Sequence, residues 1–141
     1  MGNSSNDDGE NTVNKSRILG MLCGVIAYAI VGAIGLYILR MSWPDYALAT
    51  LEKSYSFQML LSRLFIGAVA AIFAGILATK IAKDKGKTAW IVGGIVFCIA
   101  AYIHFFRVWN DYAAWYHFVY LFSIVIFTGG RSLIKNIPHG S

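Results

Sequence analysis

Four apolar runs, each about as long as a membrane-crossing helix, fix most of what this chain can become. Residues 18–39 carry no charged side chain, and residues 57–79 carry one, Arg63. Residues 88–108 hold His104 and Arg107 near their end. Residues 113–132 hold His117 near their start and Arg131 near their end. A helix needs ~20 apolar residues to cross a ~30 Å hydrocarbon layer. Strands of a membrane barrel would alternate polar and apolar side chains over ~10 residues, and these runs do not. The first run is too long for a signal-peptide core, and no A-x-A site follows it before Arg40. The expected fold is all-α: a four-transmembrane-helix bundle with spans at 18–39, 57–79, 88–108 and 113–132.

Composition points the same way. The chain is 57% hydrophobic and 13% charged, whereas a soluble domain is roughly 25% charged. That excludes a soluble enzyme and a disordered tail protein. Two cysteines, Cys23 and Cys98, lie at different depths and cannot staple a disulfide scaffold. A net charge of +5 would suit nucleic acid, but the basic residues sit between apolar runs. The expected partner is the lipid bilayer, with no nucleic acid.

The short connections set the orientation. Lys15, Arg17, Lys80, Lys83, Lys85, Lys87, Arg131 and Lys135 fall on one side, and only Arg40, Lys53 and Arg107 on the other. This bias predicts an inner-membrane, multi-pass protein with both termini cytoplasmic. Residues 1–17 are polar without an apolar face and read as a disordered cytoplasmic tail. Residues 18–135 form the membrane domain, and residues 136–141 a cytoplasmic C-terminal tail. Between spans 1 and 2, Ser42, Pro44 and Asp45 read as a helix start. Ala47, Leu48, Leu51 and Tyr55 then recur at helical spacing. This predicts a short outer interfacial helix, with Trp43, Tyr46 and Tyr55 at headgroup level.

Small residues mark close helix contacts in lipid. Gly67, Ala71 and Gly75 form one stripe on span 2, and Gly94 and Gly129 are expected at similar depth in the hairpin of spans 3 and 4. Such stripes serve packing within one chain, or a homo-oligomer or larger membrane complex.

The polar residues share a depth. Arg63 lies six residues into span 2, His104 six residues before Asn110 and His117 six residues after Asp111, each roughly 9 Å deep at ~1.5 Å per residue. Arg63 also lies on the small stripe, so it faces protein. The three are expected to meet in one pocket, with Gln58, Asp111, Tyr112 and Tyr116 at its mouth and Asp111, Glu52 or a bound anion as the counter-charge of Arg63. An always-charged fork beside two imidazoles suits an anionic lipid headgroup, a small anion or a partner's acidic residue. Two His and one Asp do not make a convincing metal site, and no cofactor is expected. No nucleophile or carboxylate pair lies within the spans, so the expected role is non-catalytic: binding or accessory. The alternative is a small transporter or proton-coupled carrier using the membrane histidines. It is disfavoured because only Ser123 and Thr128 continue a polar path below His117.

Val108, Trp109, Asn110, Asp111 and Tyr112, then Trp115, Tyr116 and His117, then Gly129, Gly130 and Arg131 carry a family resemblance. Over residues 88–132 the chain resembles small uncharacterised four-helix bacterial inner-membrane proteins, a resemblance that implies no activity. It lacks the span-1 Glu of small multidrug transporters. Its polar cluster lies at the opposite end from that of the four-span glutathione and eicosanoid enzymes.

Overall fold

A computed structural model describes residues 4–135. They form five helices: α1 (Ser4–Ser42), α2 (Pro44–Glu52), α3 (Phe57–Ala82), α4 (Lys87–Phe106) and α5 (Ala114–Lys135). α1, α3 and α4 are long and apolar enough to cross a membrane, and the apolar stretch of α5, Ala114–Gly130, is shorter. Residues 1–3 lie outside the described residues, as does the tail expected at 136–141.

The chain is helical from Ser4, where its composition predicts a disordered tail. Nucleation is the costly step of helix formation, and the apolar run supplies the nucleus. Extension toward the N-terminus then costs little, and Asp7 sits favourably at the positive end of the helix dipole. The Thr12 hydroxyl donates to the Asp8 carbonyl at 2.7 Å, within the helix.

A single non-helical residue, Trp43, separates α1 from α2. The sequence points to Ser42 as the cap, but α1 consumes Ser42. Trp43 takes the cap position in extended conformation, with no side-chain cap and Pro44 in the first turn. α3 begins under a true cap, Ser56, whose hydroxyl accepts from the Met59 N–H. It ends at Lys83 in the left-handed conformation.

α3 is the shared wall, because it packs against α1, α4 and α5. Ala70, Ala71, Ala74 and Ala78 are completely buried. The helix carries two small stripes rather than one. Ala74, Ala78 and Ala82 receive Gly20 and Gly24 of α1. Gly67 and Gly75 receive Tyr120 and Thr128 of α5. A Cβ on Gly75 would strike the Thr128 carbonyl oxygen. The α4–α5 hairpin closes through Gly93 rather than Gly94. Gly94 meets open space, Gly93 faces Thr128, and Gly129 lies on the Trp90 ring. Large apolar side chains instead point outward: Leu22, Ile26, Ile30 and Ile34 of α1 are each more than half exposed. A continuous surface of this kind suits hydrocarbon, not water.

Asp84 organises the turn between α3 and α4. Its carboxylate accepts from the Gly86 N–H, the Thr88 N–H and, at 2.6 Å, the Thr88 hydroxyl. Partial burial pushes the carboxyl up. The three hydrogen bonds and the nearby Arg17 charge outweigh burial and hold it below the ordinary carboxylate range.

Two stability tests follow from these contacts. Gly75→Ala overpacks against backbone that cannot retreat and should cost about 1–3 kcal/mol. Gly94→Ala should be neutral, or gain up to ~1 kcal/mol of helix propensity. Thermal melts in detergent check this, and equal melting of the two variants would disprove the α3–α5 contact. Asp84→Asn should lose ~1 kcal/mol, a typical capping contribution, at neutral pH. A depressed folded pKa gives stability above the ordinary value near ~3.9. That stability disappears as pH falls through the folded value. The melting difference between wild type and Asp84→Asn should therefore shrink from pH 7 to pH 3.

Candidate functional site

The polar cluster sits at the end of the bundle that carries α2 and the turn between α4 and α5. Arg63 lies in the second turn of α3, one turn before Gly67, on the face turned toward α5. The guanidinium lies among protein groups. Nη1 donates to the Tyr46 hydroxyl at 2.6 Å, and Nε donates to the Tyr116 hydroxyl at 3.4 Å. The guanidinium carbon lies 5.0 Å from the Tyr112 ring centre and 5.6 Å from that of Tyr55. Four tyrosines from α2, α5 and two connections thus surround one cation. Each ring face contributes on the order of 0.5–2 kcal/mol of attraction.

The expected counter-charge is elsewhere. Asp111 pairs with Lys53 at 3.0 Å, and this is the ion pair found among the described residues. Lys53 ends α2 in the left-handed conformation, which brings its ammonium to the 107–113 turn, where it takes Asp111 first. Glu52 is exposed at the C-terminal end of α2. Arg63 therefore has hydroxyl and ring partners and no carboxylate.

His104 and His117 meet directly, their Nδ1 atoms 2.7 Å apart. Both are buried, at 7% and 0% exposure. The proton arrangement follows from the third partner. His117 Nε2 lies 3.1 Å from the Trp109 carbonyl oxygen, which can only accept, so Nε2 carries the hydrogen. In a dyad without net charge, His117 Nδ1 is then bare and His104 donates to it from its own Nδ1. This leaves a lone pair on His104 Nε2, which makes no hydrogen bond among the described residues. The rings are clamped by stacking. Trp109 covers His117 at 4.8 Å, and Tyr120 covers His104 at 4.7 Å.

Of the residues expected at the site, Arg63, His104, His117 and Tyr116 come together, with Tyr112 beside them. Asp111 stays at the rim on Lys53. Gln58 is exposed, and only its backbone carbonyl is engaged, by the Ser62 hydroxyl. Tyr28, Tyr46 and Tyr120 also join the cluster, beyond the residues expected at the site. Tyr46 is 2% exposed, and its hydroxyl accepts from Arg63. Tyr28 and Tyr120 share a 2.7 Å hydrogen bond between α1 and α5. Two signals were present. Tyr120 stands four residues after Tyr116, on the same face, and Tyr28 places a lone hydroxyl in the middle of an uncharged run.

Beside the cluster lies a cavity of about 400 Å³ between α1 and α4. Arg63, His104, Tyr28, Tyr112 and Tyr120 supply its polar end, and aliphatic side chains line the rest. Among the described residues no three His, Cys, Asp or Glu side chains converge as metal ligands do. The chemistry on offer is recognition: unused N–H donors on Arg63, a spare hydroxyl proton on the Tyr28–Tyr120 pair and one imidazole lone pair. No protein-family model, curated protein or solved structure matches this chain.

Proposed function

We propose that this chain is a four-span inner-membrane protein whose Arg63 cluster binds an anionic headgroup or a partner's acidic residue, without catalysis. In this reading both termini are cytoplasmic, α2 lies on the outer interface and α5 is the fourth span. The apolar stretch of α5, Ala114–Gly130, sits at the lower limit of the ~17–25 residues that cross a bilayer. Its antiparallel packing on α4 and its contact with α3 support that placement.

One observation carries the binding role: a cation caged by four tyrosines with no carboxylate beside it among the described residues. An ionised side chain at membrane depth is costly until it is paired. Hydroxyls and rings offset part of the cost, and an anion would offset the rest. The carrier reading needs a polar path onward from the histidines. The Ser123 and Thr128 hydroxyls donate to the Tyr120 and Ile124 carbonyls of their own helix, which favours binding over transport.

Arg63→Gln tests the site. Native mass spectrometry of folded protein should show an anionic lipid retained by wild type and lost from Arg63→Gln, with partial retention in Arg63→Lys, which keeps charge but loses the fork. Equal retention by all three would overturn the anion role. Cysteine at Ser54 should react with an impermeant thiol reagent added outside, and cysteine at Asp84 should not. The reverse pattern would overturn the topology.

A further inference from the structure

The cavity between α1 and α4 has a polar end and an apolar length. Along α4 it runs from Val96 to His104, roughly 12 Å at ~1.5 Å per residue. Val25, Ala29, Ile99 and Ile103 line it. Ala29, Ile99 and Ile103 are also exposed, so the cleft opens on the flank of the bundle rather than at its end. Its volume of about 400 Å³ falls in the lower part of the ~300–1,000 Å³ typical of small-molecule sites. One hydrocarbon chain fills such a slot. A two-chain lipid would have to leave a chain outside.

The polar end makes two demands on a ligand. Arg63 Nε and Nη1 are taken by Tyr116 and Tyr46, while Nη2 has no partner among the described residues and offers a charged N–H donor to one oxygen of an anion. His104 Nε2 offers a lone pair and requires a proton from its partner. The phosphodiester of a two-chain lipid takes no proton near neutral pH, so pairing it with Nε2 would place a full imidazolium charge beside Arg63. A carboxyl group meets both demands, because one oxygen accepts from Arg63 while the other shares a proton with Nε2.

We propose that the α1/α4 cleft binds a single-chain fatty carboxylate, its head between Arg63 and His104 Nε2 and its chain along Val25, Ala29, Ile99 and Ile103. This rests on the anion-binding reading of Arg63. It adds the chain, the lateral entry and the proton. A carboxylate arrives from neutral solution without a proton, and the complex holds one, on Nε2 or on the carboxyl oxygen. Binding therefore takes up one proton. The groups that face His104 cannot supply it. On α5, both His117 nitrogens are engaged, and Tyr116 and Tyr120 are phenols. In the turn, Tyr112 is a phenol as well. On α3, Arg63 is permanently charged. On α1, Tyr28 reaches His104 only through Tyr120.

The test uses the full chain in nanodiscs of zwitterionic lipid, with isotope-labelled laurate as the probe and native mass spectrometry as the readout. One laurate per chain is expected, with affinity rising close to tenfold for each unit of pH lowered between 8 and 6, the slope of one linked proton. Ala29→Trp and Ile99→Trp fill the cleft from opposite walls at exposed positions, and each should weaken laurate at least tenfold. Phosphatidylglycerol should compete poorly. If Arg63→Gln abolishes laurate binding while both Trp variants bind normally, the chain does not lie in the cleft and this proposal falls, although the anion role survives. Phosphatidylglycerol competing as well as laurate would have the same meaning. Laurate affinity independent of pH overturns the placement of the head at His104. Laurate binding unaffected by Arg63→Gln removes both readings together.

Discussion

The closeness with which α3 admits its neighbours governs the rest of the structure. Ala74 and Ala78 let the backbone of α1 approach at Gly20 and Gly24, and Gly75 lets Thr128 of α5 rest on bare backbone. In lipid no hydrophobic force gathers helices, so contact along such seams supplies the association. The seams also fix the rotation of α3 about its axis. Arg63 continues the line of Gly67 and Gly75, so the rotation that closes the α3–α5 seam also turns the guanidinium inward. A packing requirement at one end of the helix thereby sets the chemistry at the other.

Once Arg63 is inside, the tyrosines follow from the rule that buried polar groups find partners. Tyr46 reaches in from α2, Tyr116 from α5, and Tyr55 and Tyr112 from the connections. These aromatics span the elements that meet at this end, which makes the cation a fastener as well as a site. It holds α2 against α3 and α5 with no carboxylate involved. The single acid within reach, Asp111, is diverted to Lys53 at the rim, where the pair is partly solvated and worth little. The interior keeps a net positive charge as a result.

Much of this was legible in the sequence, for definite reasons. The runs exposed the helices because membrane length is a hard constraint. The common depth of Arg63, His104 and His117 could be counted because the connections are short. Other features depended on rotation, which counting does not give. Adjacent Gly93 and Gly94 differ by about a hundred degrees around a helix with ~3.6 residues per turn, and only the fold selects Gly93 for contact. Tyr46 reads as an interfacial tyrosine, and only the fold shows that the cation on the next helix takes its hydroxyl. The pairing of Asp111 with Lys53 depended on a left-handed residue at the end of α2, which no sequence pattern announces. The first turns of α1 read as disordered because local composition says nothing of the nucleus that follows.

The two imidazoles form a line with a direction. At one end the Trp109 carbonyl holds a hydrogen it cannot give back, and at the other a nitrogen stands bare. Every tautomer along the line follows from that carbonyl, a main-chain atom that no side-chain replacement removes. The dyad is therefore polarised by the path of the backbone through the turn between α4 and α5. Substituting the side chains around it can change the strength of the dyad but not the end from which it accepts charge.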